Sequence, residues 1–316
     1  MKLQTPVRIP EGEPKIGYDS KVFLLGSCFS ENIGDKFQYY KFQSLQNPFG
    51  ILFHPFAIEQ FLERLVSEKF YTKEDLVYHN KHWHCFEAHS KLSAGSCEEI
   101  LTNLNTAVQE TRHFLTEASH VILTYGTAWV YRFISTDQYV ANCHKIPPQK
   151  FQKEIISADR IQQSIEKSIC LLRKINSSIK LIFTVSPVRH AKDGLVENSR
   201  SKANLLSAIH LGIEKNLEQN SYFPSYELMM DELRDYRFYK DDLLHPSAMA
   251  IDYIWEKFSA SWLEAQSFET MKQVAEIQRG LQHKAFYPES EAYQKFLKKL
   301  ASDKSELAQK WSHITF

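Results

Sequence analysis

Three residues of types that can make and break acyl bonds stand far apart in this chain: Ser27, Asp242 and His245. Ser27 follows Gly26 at the end of the apolar run Val22, Phe23, Leu24, Leu25. Asp242 and His245 lie three apart within Asp241–Ser247, just ahead of the apolar-periodic run Met249, Ile251, Tyr253, Ile254, Phe258. A serine hydroxyl is a poor nucleophile until a base takes its proton. A carboxylate on one imidazole nitrogen fixes the tautomer that leaves the other nitrogen as that base. The i, i+3 spacing selects Asp242 as the orienting carboxylate, with the adjacent Asp241 as the alternative. Each motif alone also has an ordinary reading, a loop serine and an Asp-His pair at a helix start.

The stretch Lys21–Gly34 reads as strand, tight turn and helix. Its continuous apolar run suits a strand buried on both faces of a parallel sheet. Gly26 sits where a sharp turn is easiest; Ser30 is expected as the N-cap, with Glu31 in the first turn. Ser27 then lies at the carboxyl edge of a sheet beside a helix N-terminus, where open α/β sheets place ligands and where an oxyanion can be held. Pro246 and Ser247 read as the first turn of a helix, leaving Asp242 and His245 in the loop before it.

Taken together, the Gly-Ser and Asp-x-x-His motifs resemble the SGNH/GDSL hydrolase superfamily. Within it, Gly26-Ser27-Cys28-Phe29-Ser30 resembles the branch named for its Gly-Ser-Cys-Phe-Ala motif, the GSCFA family. Asn47-Pro48-Phe49-Gly50, Asn142-Cys143-His144-Lys145, Thr184 through His190, and Tyr226 through Pro246 extend the resemblance over roughly residues 5–258. It implies a three-layer α/β/α fold with a mostly parallel, flavodoxin-like sheet. It also implies Ser27 as nucleophile, His245 as base and Asp242 as its partner, with no cofactor or metal. The backbone N–H groups of Ser27 and Gly50 would serve the oxyanion; Gly50 reads equally as a position needing positive φ. The superfamily's third block is Gly126-Thr127-Ala128-Trp129 here, with Ala128 where an asparagine is expected. Losing such a donor typically costs roughly 10²–10³ in kcat. Asn142, after an apparent hairpin over 130–140, is therefore the expected replacement, with Thr127 or a backbone N–H as alternatives.

Other clusters invite weaker readings. His79, His82, His84, Cys85 and His89, with Trp83 between them, form either a metal site or a hairpin lining a cleft. No metal is assigned, and His89 is expected at a substrate pocket. Arg189 and His190, after the strand Lys180–Val185, are suited to an anionic part of a substrate. Cys28 is read as packing.

Equal numbers of basic and acidic residues, 38 each in 316, give no field to hold nucleic acid or an anionic membrane. The first residues lack an apolar signal core, and no run is long enough to span a bilayer. Five cysteines without a paired framework fit a reducing compartment, so a cytoplasmic location is expected. Residues 1–20 read as an extended surface arm. Helices are expected over Pro55–Glu68, Ser96–Ala118, Ile155–Ile175 and Arg200–Gln219, with strands at His120–Gly126, Lys180–Val185 and Tyr222–Leu228. This alternation argues a parallel sheet between two helical layers. The expected domains are 1–265, carrying an insertion around 51–118, and a helical appendage at 266–316, packed on the core or on a second subunit. The functional expectation is an ester hydrolase on a small-molecule or carbohydrate ester, the carbohydrate being suggested by the superfamily alone. Alternatives are an acyltransferase, a non-catalytic carbohydrate-binding module, and a metal-dependent enzyme built on the histidine cluster. Homo-oligomerisation is left open.

Overall fold

The computed structural model describes residues 4–214 and 218–316. In chain order the first half runs β1 (Lys21–Gly26), α1 (Cys28–Tyr39), β2 (Gln43–Gln46), α2 (Pro55–Ser67), β3 (Leu76–His79), β4 (His82–Cys85), α3 (Cys97–Glu117) and β5 (His120–Tyr125). Next come β6 (Trp129–Phe133), β7 (Gln138–Val140), β8 (Phe151–Ile155), α4 (Ala158–Ile175), β9 (Lys180–Val185), α5 (Leu195–Ile213) and β10 (Asn220–Tyr222). A short turn α6 (Ser225–Glu227) precedes α7 (Ala248–Trp262), α8 (Ser267–Gln282) and α9 (Glu291–Lys310).

Five strands form one parallel sheet in the order β10-β9-β5-β1-β2. All six residues of β5 and of β9 are buried, which is why these strands are apolar on both faces. The period of two divides them between two cores. Phe23, Leu25, Val121, Leu123, Leu181 and Phe183 pack with α2, α3, α4 and α5. Val22, Leu24, Ile122 and Ile182 pack with α1, α7 and α8 on the other face. The result is the expected α/β/α arrangement. Strand order reverses between β1 and β5, and the crevice at their carboxyl ends is where such sheets take ligands. Two antiparallel units, β3-β4 and β7-β6-β8, are built around that edge.

The C-terminal helices bury Met271, Val274, Ile277 and Leu307 in the same core as α1 and α7. Tyr18 stacks between Phe42 and Trp311, with ring centroids 4.3 and 5.3 Å away. No helix of the described residues is long and apolar enough to cross a membrane.

Five expectations change. The described part of the N-terminal arm is not simply superficial, since Ile16 and Tyr18 are fully buried and Ile16 pairs with Leu263. The expected strand at Tyr222–Leu228 is only Asn220–Tyr222; Pro224 removes a donor and the chain turns into helix at Ser225. Helix α5 begins at Leu195, earlier than expected, and part of its expected last turn, 215–217, lies outside the described residues. The N-cap of α1 is Ser27 rather than Ser30, and that of α7 is Ser247, with Pro246 outside the helix.

Candidate active site

Ser27 sits where β1 ends and α1 begins, 1 % exposed. Its Oγ caps α1 by accepting the Phe29 N–H at 3.3 Å, and its own N–H donates to Thr124 O at 3.0 Å, continuing the β1–β5 ladder. Gly26 has φ +143°, and a Cβ there would collide with the Thr124 carbonyl, so only glycine lets the two strands close so tightly before the serine. A Cβ placed on Gly126 would lie 3.2 Å from Ser27 Cβ, which puts the end of β5 directly against the serine.

The Asn47–Gly50 turn closes the other flank. Asn47 N–H donates to Leu24 O at 2.9 Å, and Asn47 Oδ1 accepts the Gly26 N–H at 2.9 Å. That bond fixes the carboxamide's orientation, because an N–H must meet the oxygen. Asn47 Nδ2 is left buried with no partner among the described residues. Gly50 adopts φ +69°, the positive value anticipated for it, and packs beneath the His89 side chain. Its N–H donates to Asn47 O at 2.7 Å, so both backbone donors expected for an oxyanion are engaged within the fold.

Asp242 and His245 stand on the loop ahead of α7. Asp242 Oδ1 accepts the N–H groups of Leu244 and His245, each at 2.9 Å, while Oδ2 meets His245 Nδ1 at 2.7 Å. The two backbone bonds, with the imidazole added, hold the Asp242 carboxyl down at about 2. With Nδ1 bound to this carboxylate, Nε2 of the neutral ring is an acceptor, the form a general base requires. The side chains of His245 and Asp242 are 40 % and 46 % exposed. Among the described residues no hydrogen bond joins Ser27 Oγ to His245.

Between these halves lies a buried layer carried by α5. Lys202 Nζ, 1 % exposed in the residue as a whole, donates to Gly126 O at 2.6 Å and Ser186 O at 2.7 Å, clamping the ends of β5 and β9. Burial pushes its ammonium down to about 7, opposed by the Cys28 thiol and helped by Arg189. Ser201 Oγ accepts the Ala128 N–H at 2.7 Å and meets Thr127 Oγ1 at 3.0 Å. Asn198 Oδ1 accepts the His190 N–H at 2.9 Å. The His190 ring, 6.4 Å from that of Phe53, has its Nε2 buried without a partner among the described residues. Burial, with Lys202 and His245 nearby, pushes it down to about 4.

The remaining candidates divide accordingly. Thr127 Oγ1 also accepts the Trp129 N–H at 3.0 Å and is committed to its own loop. Asn142 Oδ1 accepts from Ser90 Oγ at 3.3 Å and His144 N at 2.8 Å, joining the hairpin end to the loop that carries His89. His89 accepts the Lys91 N–H through Nδ1 at 3.2 Å and is lowered by burial, with Lys91 adding to the effect. Arg189 is tied to the Asp242–His245 loop by its N–H, which donates to Leu244 O at 3.1 Å. In the histidine cluster, His84 contacts Ser93 Oγ and His79 O and stacks on His144 at 4.7 Å. Among the described residues no three His, Cys, Asp or Glu side chains are grouped to hold a metal. The Cys28 thiol is raised, chiefly by burial.

Sequence reasoning missed Asn47 and Lys202. The signal for Lys202 was available in Asn198, Ser201 and Lys202, three polar residues on the face of α5 that also carries Leu205, Ala208 and Ile209. Polar side chains at core positions require polar partners, here the loops at the carboxyl edge.

The fold is a doubly wound α/β protein with Ser27 at the carboxyl end of β1 and the Asp242–His245 loop tied, through Arg189 N–H and Leu244 O, to the segment that follows β9. Residues 21–258 match the GSCFA family and residues 274–316 match the description GSCFA domain protein, C-terminal domain. The chain belongs to the GSCFA family. No curated protein matches it.

Proposed function

We propose that the chain is a serine hydrolase of the SGNH type that cleaves an ester through an acyl-enzyme. The observation that carries this reading is the Asp242–His245 pair, a 2.7 Å contact that orients the imidazole with Nε2 available. Ser27, at the strand-order reversal and at a helix N-terminus, is the hydroxyl suited to it. As the Ser27 Oγ–carbon bond forms, the hydroxyl proton passes to His245 Nε2. Collapse of the tetrahedral oxyanion expels the alcohol, which takes that proton. Water, deprotonated by the same nitrogen, then releases the acid and restores the serine. The reaction needs Nε2 within about 2.6–3.2 Å of the hydroxyl, a contact that often tightens only with substrate bound. For the oxyanion, the buried Asn47 Nδ2 supplies the side-chain donor that Ala128 lacks; Thr127 Oγ1 is engaged within its own loop, and Asn142 is anchored through its Oδ1 at the hairpin end. Attack by a second alcohol in place of water would make the same machinery an acyltransferase.

The test is labelling with a fluorophosphonate probe, with the adduct located by peptide mass spectrometry. The expected result is an adduct on Ser27 that is absent from Ser27→Ala and strongly slowed in His245→Ala. Folded wild-type protein that takes no label would instead support a non-catalytic binding module. The capped, 1 % exposed serine is the observation favouring that second reading.

A further inference from the structure

Immediately beside the Asp242–His245 loop lies a cavity of about 500 Å³ whose wall includes Leu243 and Leu244, the two residues between Asp242 and His245. Its size is that of an ordinary small-molecule site. Met229, Met230 and Leu233 give it an apolar floor, and flexible thioethers adapt to varied apolar groups. At the rim, beside the ion-paired Arg234 and Asp235, stand the apolar Leu195, Tyr236 and Leu243, 55 %, 75 % and 51 % exposed. Large apolar side chains gathered at the mouth of a cavity mark a binding surface.

One charge in this wall is unbalanced. Arg189 directs its guanidinium to the Met230 sulfur at 3.1 Å and the Tyr239 hydroxyl at 3.4 Å, and lies 5.9 Å from the Tyr239 ring centroid. Among the described residues no carboxylate lies within ion-pair distance of it. The other charges of the wall are matched, Arg234 by Asp231 at 3.1 Å and Asp235 by Arg237 at 3.1 Å. A thioether and a phenol are weak acceptors for a guanidinium, whose fork is shaped for two oxygens of a carboxylate or phosphate.

We infer that this cavity is the subsite for the substrate's apolar portion and that Arg189 binds a carboxylate or phosphate at its end, so that the ester cleaved is an anionic amphiphile. This rests on the reading of Ser27 and His245 as the reacting pair, since the cavity lies against their loop. It narrows the substrate from esters in general to those with an alkyl or aryl group ending in an anion. The hydrogen bond from Arg189 N–H to Leu244 O, 3.1 Å, couples the two places: seating the anion on Arg189 positions the loop that presents His245.

Calorimetric binding of octanoate, octyl phosphate and octan-1-ol, all below micellar concentration, tests this. Ser27→Ala is the titrated protein, so binding is read without turnover and independently of whether Ser27 takes a fluorophosphonate. At least one anion should bind about tenfold or more tightly than the alcohol, and the stronger anion distinguishes carboxylate from phosphate. In Ser27→Ala/Arg189→Gln that preference should fall below about threefold, and Arg189→Lys should recover part of it. Equal binding of all three, no binding of any, or a preference that survives Arg189→Gln and disappears in Arg234→Gln would overturn the proposal. The comparison of three ligands on the parent protein needs no Arg189 variant to fold. Failure of Ser27 labelling alongside an intact anion preference would overturn the hydrolase reading and leave the subsite standing.

Discussion

Ser27 and His245 occupy opposite kinds of environment. The serine is enclosed: its N–H continues a parallel ladder, its Oγ caps a helix, and glycines flank it on the chain and across the sheet. The histidine stands on a loop with two-fifths of its side chain in solvent, held chiefly by one aspartate. One group has its position set by the sheet and the other by a local turn. A serine at a strand end cannot move without disturbing β1, β5 and α1 together. A histidine on an exposed loop can be repositioned without disturbing the sheet. The buried layer of Asn198, Ser201 and Lys202 lies between them and fixes the loops on both sides without belonging to either group.

The largest test separates activity from stability. Ser27→Ala and His245→Ala should each lower esterase turnover by about 10⁴-fold or more, as for members of one catalytic unit. Their melting temperatures should differ. Ser27→Ala removes the acceptor for the Phe29 N–H and should cost about 1 kcal/mol of stability. His245→Ala, at a half-exposed site, should change it by less than about 0.5 kcal/mol. Equal destabilisation by the two would erase the contrast between enclosed nucleophile and exposed base.

A smaller effect sharpens the enclosed side. Asn47→Asp keeps an oxygen for the Gly26 N–H and replaces the unpartnered Nδ2 donor with an acceptor. Turnover should fall by roughly 10²–10³, the usual effect of one oxyanion donor, with little change in KM. Full activity in Asn47→Asp would remove Asn47 from the reaction and return the donor's role to Asn142.

The difference between the two regions also explains what the sequence made readable. The strand before Ser27 was legible because a run of four apolar residues ending in glycine has few other uses. The Asp242–His245 pair was legible because both partners lie within one turn of chain. Asn47 and Lys202 were not, since each acquires its meaning from atoms distant in sequence, the Gly26 N–H for one and the carbonyls of Gly126 and Ser186 for the other. The choice of Ser30 over Ser27 as helix cap failed for a local reason: both are serines, and only the β1–β5 closure decides where the backbone leaves extended geometry. Tyr222, Phe223, Tyr226 and Leu228 looked like a strand because apolar periodicity does not reveal where a neighbouring strand stops offering partners.

The last expected effect is an acid sensitivity that originates in buried histidines rather than in the exposed dyad. His54 caps α2 through Nδ1, and its Nε2 meets Val140 O at 3.0 Å; burial pushes it down to about 4. His144 against Cys85 O and His120 against Pro14 O are likewise pushed down by burial to about 4. Each of these folded-state values lies below the unfolded value of about 6.5. Between roughly pH 6.5 and pH 4 the unfolded chain therefore binds more protons, and stability rises with pH. Their contribution is complete above about pH 6.5 and is lost as pH falls toward 4, with a limiting slope near 1.4 kcal/mol per pH unit for each histidine. Asp242 acts in the same direction but at lower pH: its carboxyl, lowered to about 2, stays ionised in the folded protein while the unfolded one takes up protons only near about 3.9, so it adds to the slope only at the acid end of this interval. Thermal melts from pH 7 to 4.5 should show a falling midpoint. His54→Asn, which keeps a side-chain cap for α2, should flatten the curve, and Asp242→Asn should leave its slope above about pH 5 unchanged. A slope that followed Asp242→Asn and ignored His54→Asn would place the acid-labile element on the exposed loop and reverse the comparison.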